Sequence, residues 1–253
     1  MHAKASILAA LSLLAAFPVR GAYTFTFYPG NAVVPDDDPN GYQNTVDLSG
    51  VAGTISDVTV TLNIAGGFNG DLYAWLGHAG ELSILLNRVG VYAGNSVGYG
   101  DAGFGPDAGQ VSFTLDDQAQ GDVHFYQSSS YQLNGNRQLT GSWQPDGRLL
   151  DPSSNPDSFA ATPRSNLLSV FNGSDANGDW TLYIADLSPG GVSTLVSWGL
   201  QIEVVPEPGS LALLLCGATL LWRIARSNGH RGRRQPSGST ASRPAPRAGD
   251  GLR

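Results

Sequence analysis

Cysteine is almost missing: the 253-residue chain has one, Cys216, which excludes any disulfide within the chain, oxidising compartment or not. Stability must come from burial, which a domain of about 180 residues can supply without cross-links. Basic residues are scarce too. Between Tyr23 and Val205, 19 acids face four arginines (Arg88, Arg137, Arg148 and Arg164), a net charge of −15. That balance excludes a nucleic-acid partner, which needs basic patches, and favours solubility and divalent cations. The same stretch holds two histidines, His78 and His124, too few for the common His-rich zinc sites. It shows no long amphipathic helical period and no internal repeat.

What is present is alternation. Val58, Val60, Leu62 and Ile64 share one face of Thr54–Ile64, with Thr59, Thr61 and Asn63 on the other. Val196, Trp198, Leu200, Ile202 and Val204 alternate in the same way with Ser197, Gly199, Gln201 and Glu203. These are half-buried antiparallel strands. Further strands are expected at Tyr23–Tyr28, Asp71–Leu76, Leu82–Asn87, Val111–Leu115, Val123–Tyr126 and Trp180–Ala185. The total predicts an all-β antiparallel sandwich or jelly roll. Long Gly-, Asn- and Pro-rich loops, 90–109 and 128–164, separate the strands.

The two ends read differently from the middle. His2 and Lys4 precede an apolar run, Ile7–Phe17, of signal-peptide length, so residues 1–22 are expected to be a secretory signal, cleaved after Gly21 or Ala22. At the other end, Val205-Pro206-Glu207-Pro208 precedes an apolar stretch, 209–222, expected to be a short transmembrane helix. Arg223, Arg226, Arg231, Arg233 and Arg234 follow and are expected to stay cytoplasmic. A buried core helix is the alternative for so short a stretch. From Pro206 onward eight arginines face two acids, a net charge of +6. Residues 205–234 resemble the PEP-CTERM sorting signal of Gram-negative bacteria. The resemblance implies an exosortase as partner, cleavage near the Pro-Glu-Pro motif, and delivery from the inner membrane to the cell surface or beyond. Residues 235–253, rich in Ser, Pro and Arg, extend past the point where that signal usually ends and are expected to be a disordered cytoplasmic tail.

A second resemblance lies in the middle. Phe171-Asn172-Gly173, Asn177-Gly178-Asp179-Trp180-Thr181-Leu182, Asp186, Leu195, Trp198 and Leu200 resemble the closing half of the P domain (Homo B domain) of proprotein convertases. Gly70-Asp71-Leu72 and Leu115-Asp116-Asp117-Gln118-Ala119 are similar to earlier elements of that domain, in the same order. The resemblance covers 46–204 and implies a jelly-roll, galactose-binding-like sandwich within a domain spanning 23–204. In convertases the domain accompanies a subtilisin-like protease. Here too few residues precede the first matched motif for a catalytic domain, and Pro189-Gly190-Gly191-Val192-Ser193 replaces an Asp-rich turn of the family.

Chemistry is sparse. Gly94-Asn95-Ser96-Val97-Gly98 matches the G-x-S-x-G pattern, but the glycine-rich residues after Ser96 cannot supply the helix a nucleophile elbow requires. Asp175-Ala176-Asn177-Gly178-Asp179 places oxygen side chains at alternate positions, yet Asp186 stands where a calcium loop needs a bidentate Glu, so the segment reads as a hairpin turn. Asp71, Asp116 and Asp117 are a calcium set if the fold gathers them, and an exposed acidic rim if it does not. Asp36-Asp37-Asp38 reads as a solvated loop. Trp180 and Trp198 belong to a core. Trp143, in the polar segment Gly141-Ser142-Trp143-Gln144-Pro145, can either pack down or stack on a sugar.

Three functions follow. The first is a non-enzymatic surface or matrix protein with a structural or adhesive sandwich that meets extracellular polysaccharide or surface proteins. The second is a calcium-assisted carbohydrate-binding module. The third is an accessory domain of a secreted protease system. A hydrolase would need a triad that nothing local supplies.

Overall fold

The computed structural model describes residues 21–106, 112–205 and 216–222. Eleven strands occur in the order β1 (Gly21–Phe27), β2 (Ala32–Val34), β3 (Asp38–Leu48), β4 (Thr54–Gly66), β5 (Leu72–His78), β6 (Glu81–Asn87), β7 (Gly103–Phe104), β8 (Thr114–Leu115), β9 (Ser142–Trp143), β10 (Gly178–Asp186) and β11 (Ser193–Val205). One short helix, α1 (Asp157–Ala161), lies in the second long loop. The fold is all-β, as the alternation predicts.

Two sheets share one core. The larger has the path β1-β11-β4-β8-β9, with β2 added to β11 and β7 to β4; the smaller runs β3-β10-β5-β6. Pairing is antiparallel apart from β8 with β9. Val58, Val60, Leu62 and Ile64 on β4 are at most 1 % exposed, and they meet Leu76, Leu182 and Ile184 from the smaller sheet in the same cluster. Each such side chain contributes roughly 1.5–3 kcal/mol relative to exposure. Trp180 and Trp198 are core residues, with their indole N–H groups satisfied: Trp180 donates to the Ala176 carbonyl at 3.0 Å and Trp198 to Asn44 Oδ1 at 2.8 Å.

Three local expectations are corrected. Val123–Tyr126 is not a strand but part of a 3-10 turn, Val123–Ser128, started by Asp122, whose carboxylate accepts the His124 N–H at 2.9 Å. On β11 a bulge between Leu195 and Ser197 shifts the pairing, so Leu195, not Val196, joins Trp198 in the core. Asp38 opens an eleven-residue strand that the acidic run disguised. That strand, β3, is an edge, where Pro39 is tolerated because no neighbour needs its missing N–H. Its Gly41 has φ +55°, and a Cβ there would lie 2.3 Å from the Ile184 carbonyl oxygen.

Val205 ends β11. Pro206, Glu207, Pro208, Arg223 and Arg226 lie outside the described residues, as do residues 1–20 of the expected signal and the tail 235–253. Of the expected membrane segment 209–222, residues 216–222 are helical. Among the described residues no helix is long and apolar enough to cross a membrane.

Candidate functional site

The groups that sequence would nominate for catalysis are bound within the fold. His124 is fully buried; its Nδ1 lies 2.7 Å from Asp146 Oδ2 and its Nε2 lies 2.8 Å from the Val91 carbonyl oxygen. A general base needs one nitrogen facing a reacting proton, and here both are taken. Asp146, also fully buried, accepts the Arg148 guanidinium at 3.3 Å; Arg148 reaches Asp122 at 2.7 Å, and Arg164 lies 3.6 Å from the same carboxylate. Burial weakens the Arg148 charge, but the two carboxylates more than offset this and raise its pKa above the ordinary value. Two of the four arginines thus tie the loop 128–164 together and hold it to Asp122.

His78 is likewise committed. Its ring stacks on Trp180, centroids 4.0 Å apart, and its nitrogens face the carbonyl oxygens of Asp179 (2.9 Å) and Asp175 (2.6 Å). The turn between them is closed by the Asp175 carboxylate, which accepts the Asn177 N–H at 3.0 Å and its side-chain amide at 2.7 Å. This is an Asx turn of the kind the sequence suggests. Ser96 sits in an exposed bend after a bridge between Tyr92 and Asn95, with neither strand nor helix to make an elbow.

The proposed calcium set is not gathered. Asp71 precedes β5 of the smaller sheet, whereas Asp116 and Asp117 follow β8 of the larger one. Both Asp117 oxygens accept backbone N–H groups, of Leu168 at 2.9 Å and Ser169 at 2.8 Å, so this carboxylate holds a turn. Asp116 accepts the Gln118 N–H at 2.8 Å. Burial raises the Asp71 pKa, opposed by a Ser188 hydrogen bond and by Arg88 and reinforced by Asp36. Nearby Asp186 is 1 % exposed, and burial, with Asp71 and Asp36 adding repulsion, pushes its pKa up to about 6. Among the described residues no three carboxylate, histidine or cysteine groups form a metal-holding cluster.

Of the two settings open to Trp143, the structure shows the packed-down one. It is 6 % exposed and ends β9, the edge strand beside β8. Its indole N–H donates to the Thr140 carbonyl at 2.9 Å. Gly121 passes so close to the ring that a Cβ would fall 2.7 Å from Cζ3. The indole forms part of the wall of a cavity of about 480 Å3, lined by residues 120–121, 129–132 and 140–143. That volume suits a small ligand. Tyr131 lies at the same cavity, 38 % exposed, and packs edge-on to Tyr126 with centroids 5.3 Å apart. Tyr126 in turn meets Trp143 edge-on at 6.1 Å and gives its hydroxyl proton to Asp101 at 2.6 Å.

The rest of the lining is Gln120, Gln132, serines, a threonine and glycines; no described lining residue is charged. In a domain with 19 acids this is a selective neutrality. Two aromatic rings and several groups that both donate and accept hydrogen bonds offer contacts for an uncharged polyhydroxylated ligand. Sequence reading found Trp143 but not Tyr131, Gln120 or Gln132. The one signal for Tyr131 and Gln132 was an aromatic residue set in the polar run Gln127-Ser128-Ser129-Ser130-Tyr131-Gln132.

No family model and no curated protein matches the chain. Among solved structures it is similar to the serine protease of Aeromonas sobria, at 15 % identity over 74 % of this chain, with a TM-score of 0.39. It is also similar to the complex of that protease with its chaperone, at 14 % identity over 75 % of this chain, with a TM-score of 0.38. The chain spans little more than a quarter of those chains, 28 % and 27 %.

Proposed function

We propose that this chain is an exported, non-catalytic surface or matrix protein whose sandwich, a jelly roll of galactose-binding-like type, acts by adhesion to neutral glycans. The observation that carries the reading is the cavity at Trp143 and Tyr131, uncharged throughout its described lining on a strongly acidic domain. An anionic ligand would meet repulsion without a cation to receive it. A neutral sugar keeps its hydrogen bonds by exchanging water for Gln and Ser side chains, and lays its apolar face on an aromatic ring. Calcium has no part in this reading, since Asp116 and Asp117 serve turns after β8 of the larger sheet while Asp71 precedes β5 of the smaller one. Delivery rests on the amino-terminal signal and on the motif Val205-Pro206-Glu207-Pro208 with Arg223 and Arg226, as an exosortase substrate.

A glycan array with the full chain tests the adhesive part. Binding to neutral glycans should survive chelation of calcium and weaken roughly tenfold in Tyr131→Ala, the loss expected for one aromatic contact. Absence of binding to any neutral glycan refutes it. The sorting part is tested by mass spectrometry of the protein in its own host. Alanine at Pro206, Glu207 and Pro208 should abolish trimming of the carboxy terminus, and trimming unchanged by that substitution contradicts an exosortase address.

A further inference from the structure

His78 ends β5, and the two oxygens that meet its ring decide its charge. Nδ1 lies 2.9 Å from the Asp179 carbonyl oxygen, and Nε2 lies 2.6 Å from that of Asp175. A main-chain carbonyl accepts hydrogen bonds and never donates one. Turning the ring over would put carbons in those places, closer than the roughly 3.3–3.6 Å of a C–H···O contact. Both nitrogens therefore face acceptors. A neutral imidazole has a single N–H, so its other nitrogen would aim a lone pair at a carbonyl oxygen, in a residue only 5 % exposed. His124 differs, because one of its partners is the Asp146 carboxylate, which can hold the proton itself.

The surroundings suit a cation. The His78 ring lies parallel to the Trp180 indole with centroids 4.0 Å apart, inside the about 6 Å over which an indole face attracts positive charge. Phe171 meets the same ring edge-on at 6.3 Å. The charged neighbours are acidic. Asp175 and Asp179 belong to the turn and the start of β10, Glu81 stands opposite His78 across β5 and β6, and Asp47 on β3 pairs with Asp179. The Asn177 N–H and side-chain amide hold the Asp175 carboxyl below its ordinary range, slightly opposed by desolvation, and His78 adds attraction. The four arginines of the domain are engaged elsewhere: Arg88 with Ser188, Arg137 with Asp101, and Arg148 and Arg164 with Asp122.

We propose that His78 is a buried imidazolium that latches the turn 173–179 to β5, so that this end of the sandwich is closed in acid and neutral media and loosened in alkali. The inference goes beyond the adhesive reading and shares no residue with the cavity at Trp143. The turn is a joint between the two sheets. On the side of the larger sheet, the Ile55 N–H of β4 donates to the Ser174 carbonyl at 2.9 Å, and the Ile55 carbonyl accepts the Gly173 N–H at 2.8 Å. Asn177 accepts the Val51 N–H at 2.9 Å and donates to the Val51 carbonyl at 2.8 Å. On the side of the smaller sheet, His78 supplies two N–H groups. Loss of its proton leaves one of the two carbonyls without a donor and takes the charge off the indole face. The folded chain holds a proton that an unfolded histidine releases near about pH 6.5; the stabilisation is complete below that pH and disappears once the folded ring gives its proton up.

Two-bond 1H–15N NMR of the full-length chain, labelled with 15N in histidine, tests this. His78 is assigned by its contact with the Trp180 ring and by the loss of its signals in His78→Gln. At about pH 7, above the ordinary histidine value, both of its nitrogens should carry protons, and titration with alkali should remove one. Over the same titration, hydrogen exchange of residues 173–179, corrected for its intrinsic pH dependence, should rise roughly tenfold while β11 keeps its protection. His78→Gln should abolish that pH dependence. Should this variant fail to fold, the nitrogen signals and the exchange of the parent decide. The inference is overturned if His78 has one bare nitrogen at about pH 7. It is also overturned if exchange of the turn follows intrinsic rates throughout, or if His78→Gln keeps the pH profile of the parent.

Discussion

Replacing Asp146 by alanine tests whether the His124–Asp146 pair is structural. The carboxylate is fully buried and accepts three groups: His124 Nδ1 at 2.7 Å, the Arg148 backbone N–H at 3.2 Å and Arg148 Nη1 at 3.3 Å. Its removal leaves one nitrogen of a buried imidazole without its partner and a guanidinium, also buried, with Asp122 as its single carboxylate. Breaking one side of such a buried set costs about 3–5 kcal/mol. In a domain of this size each kcal/mol moves the melting temperature by about 2–4 °C, so calorimetry should show a drop of roughly 6–20 °C. Asp146→Asn, which can still accept one hydrogen bond, should cost less. Asp157→Ala, at an exposed position, should change stability by about 0.5 kcal/mol or less. An Asp146→Ala protein melting within about 2 °C of the parent would refute the structural role derived from these distances.

Stability should also depend on pH through Asp186. Its pKa of about 6 in the fold exceeds that of an unfolded aspartate, so the folded state holds the extra proton. That contribution is complete below the unfolded value near 4 and is lost as pH rises through about 6. Asp186→Asn should therefore melt higher than the parent at pH 7 and show a shallower decline between pH 4 and 7; an unchanged slope contradicts the assignment. Tyr126→Phe removes a buried hydroxyl that gives its proton to Asp101 at 2.6 Å and accepts from Asn69 at 3.3 Å. Urea unfolding should register a loss of about 1–3 kcal/mol. Leu62→Ala, at a fully buried position on β4, should cost about 2–5 kcal/mol in the same assay, with a smaller loss if the core closes over the cavity.

How much of this was legible beforehand depends on where the information lay. β4 and β10 announce themselves because one face is buried along their length, so each residue records its side of the sheet. The edge strand β3 hid behind Asp38, Pro39, Asn40 and Gly41, residues that discourage strands but are tolerated where one side of the backbone has no partner. Val123–Tyr126 carried a plausible alternation, yet the Asp122 side chain bonded the local backbone and won. A bulge, which displaced Val196, leaves no mark in periodicity.

The candidate site was less legible than the fold. Trp143 stood out as an aromatic in a polar segment, but its depth follows from the Gly121 segment lying against it, a contact between strand β9 and an irregular loop distant in sequence. The grouping of Asp71 with Asp116 and Asp117 assumed that acids near strand ends meet; the two sheets separate them. Arg148 and Arg164 held an unused clue. In a stretch with four arginines and 19 acids, a cation is more valuable inside than out, and both lie against Asp122 at the base of the longest loop.

The most direct test of the account is to follow the indole N–H signal of Trp143 by NMR while a neutral oligosaccharide is added to the full chain. The account predicts that this signal and those of Tyr131 shift together and saturably, with or without calcium, while the signals of buried Trp180 stay in place. Saturable binding that leaves Trp143 and Tyr131 unmoved, or no binding by any neutral oligosaccharide, would contradict it.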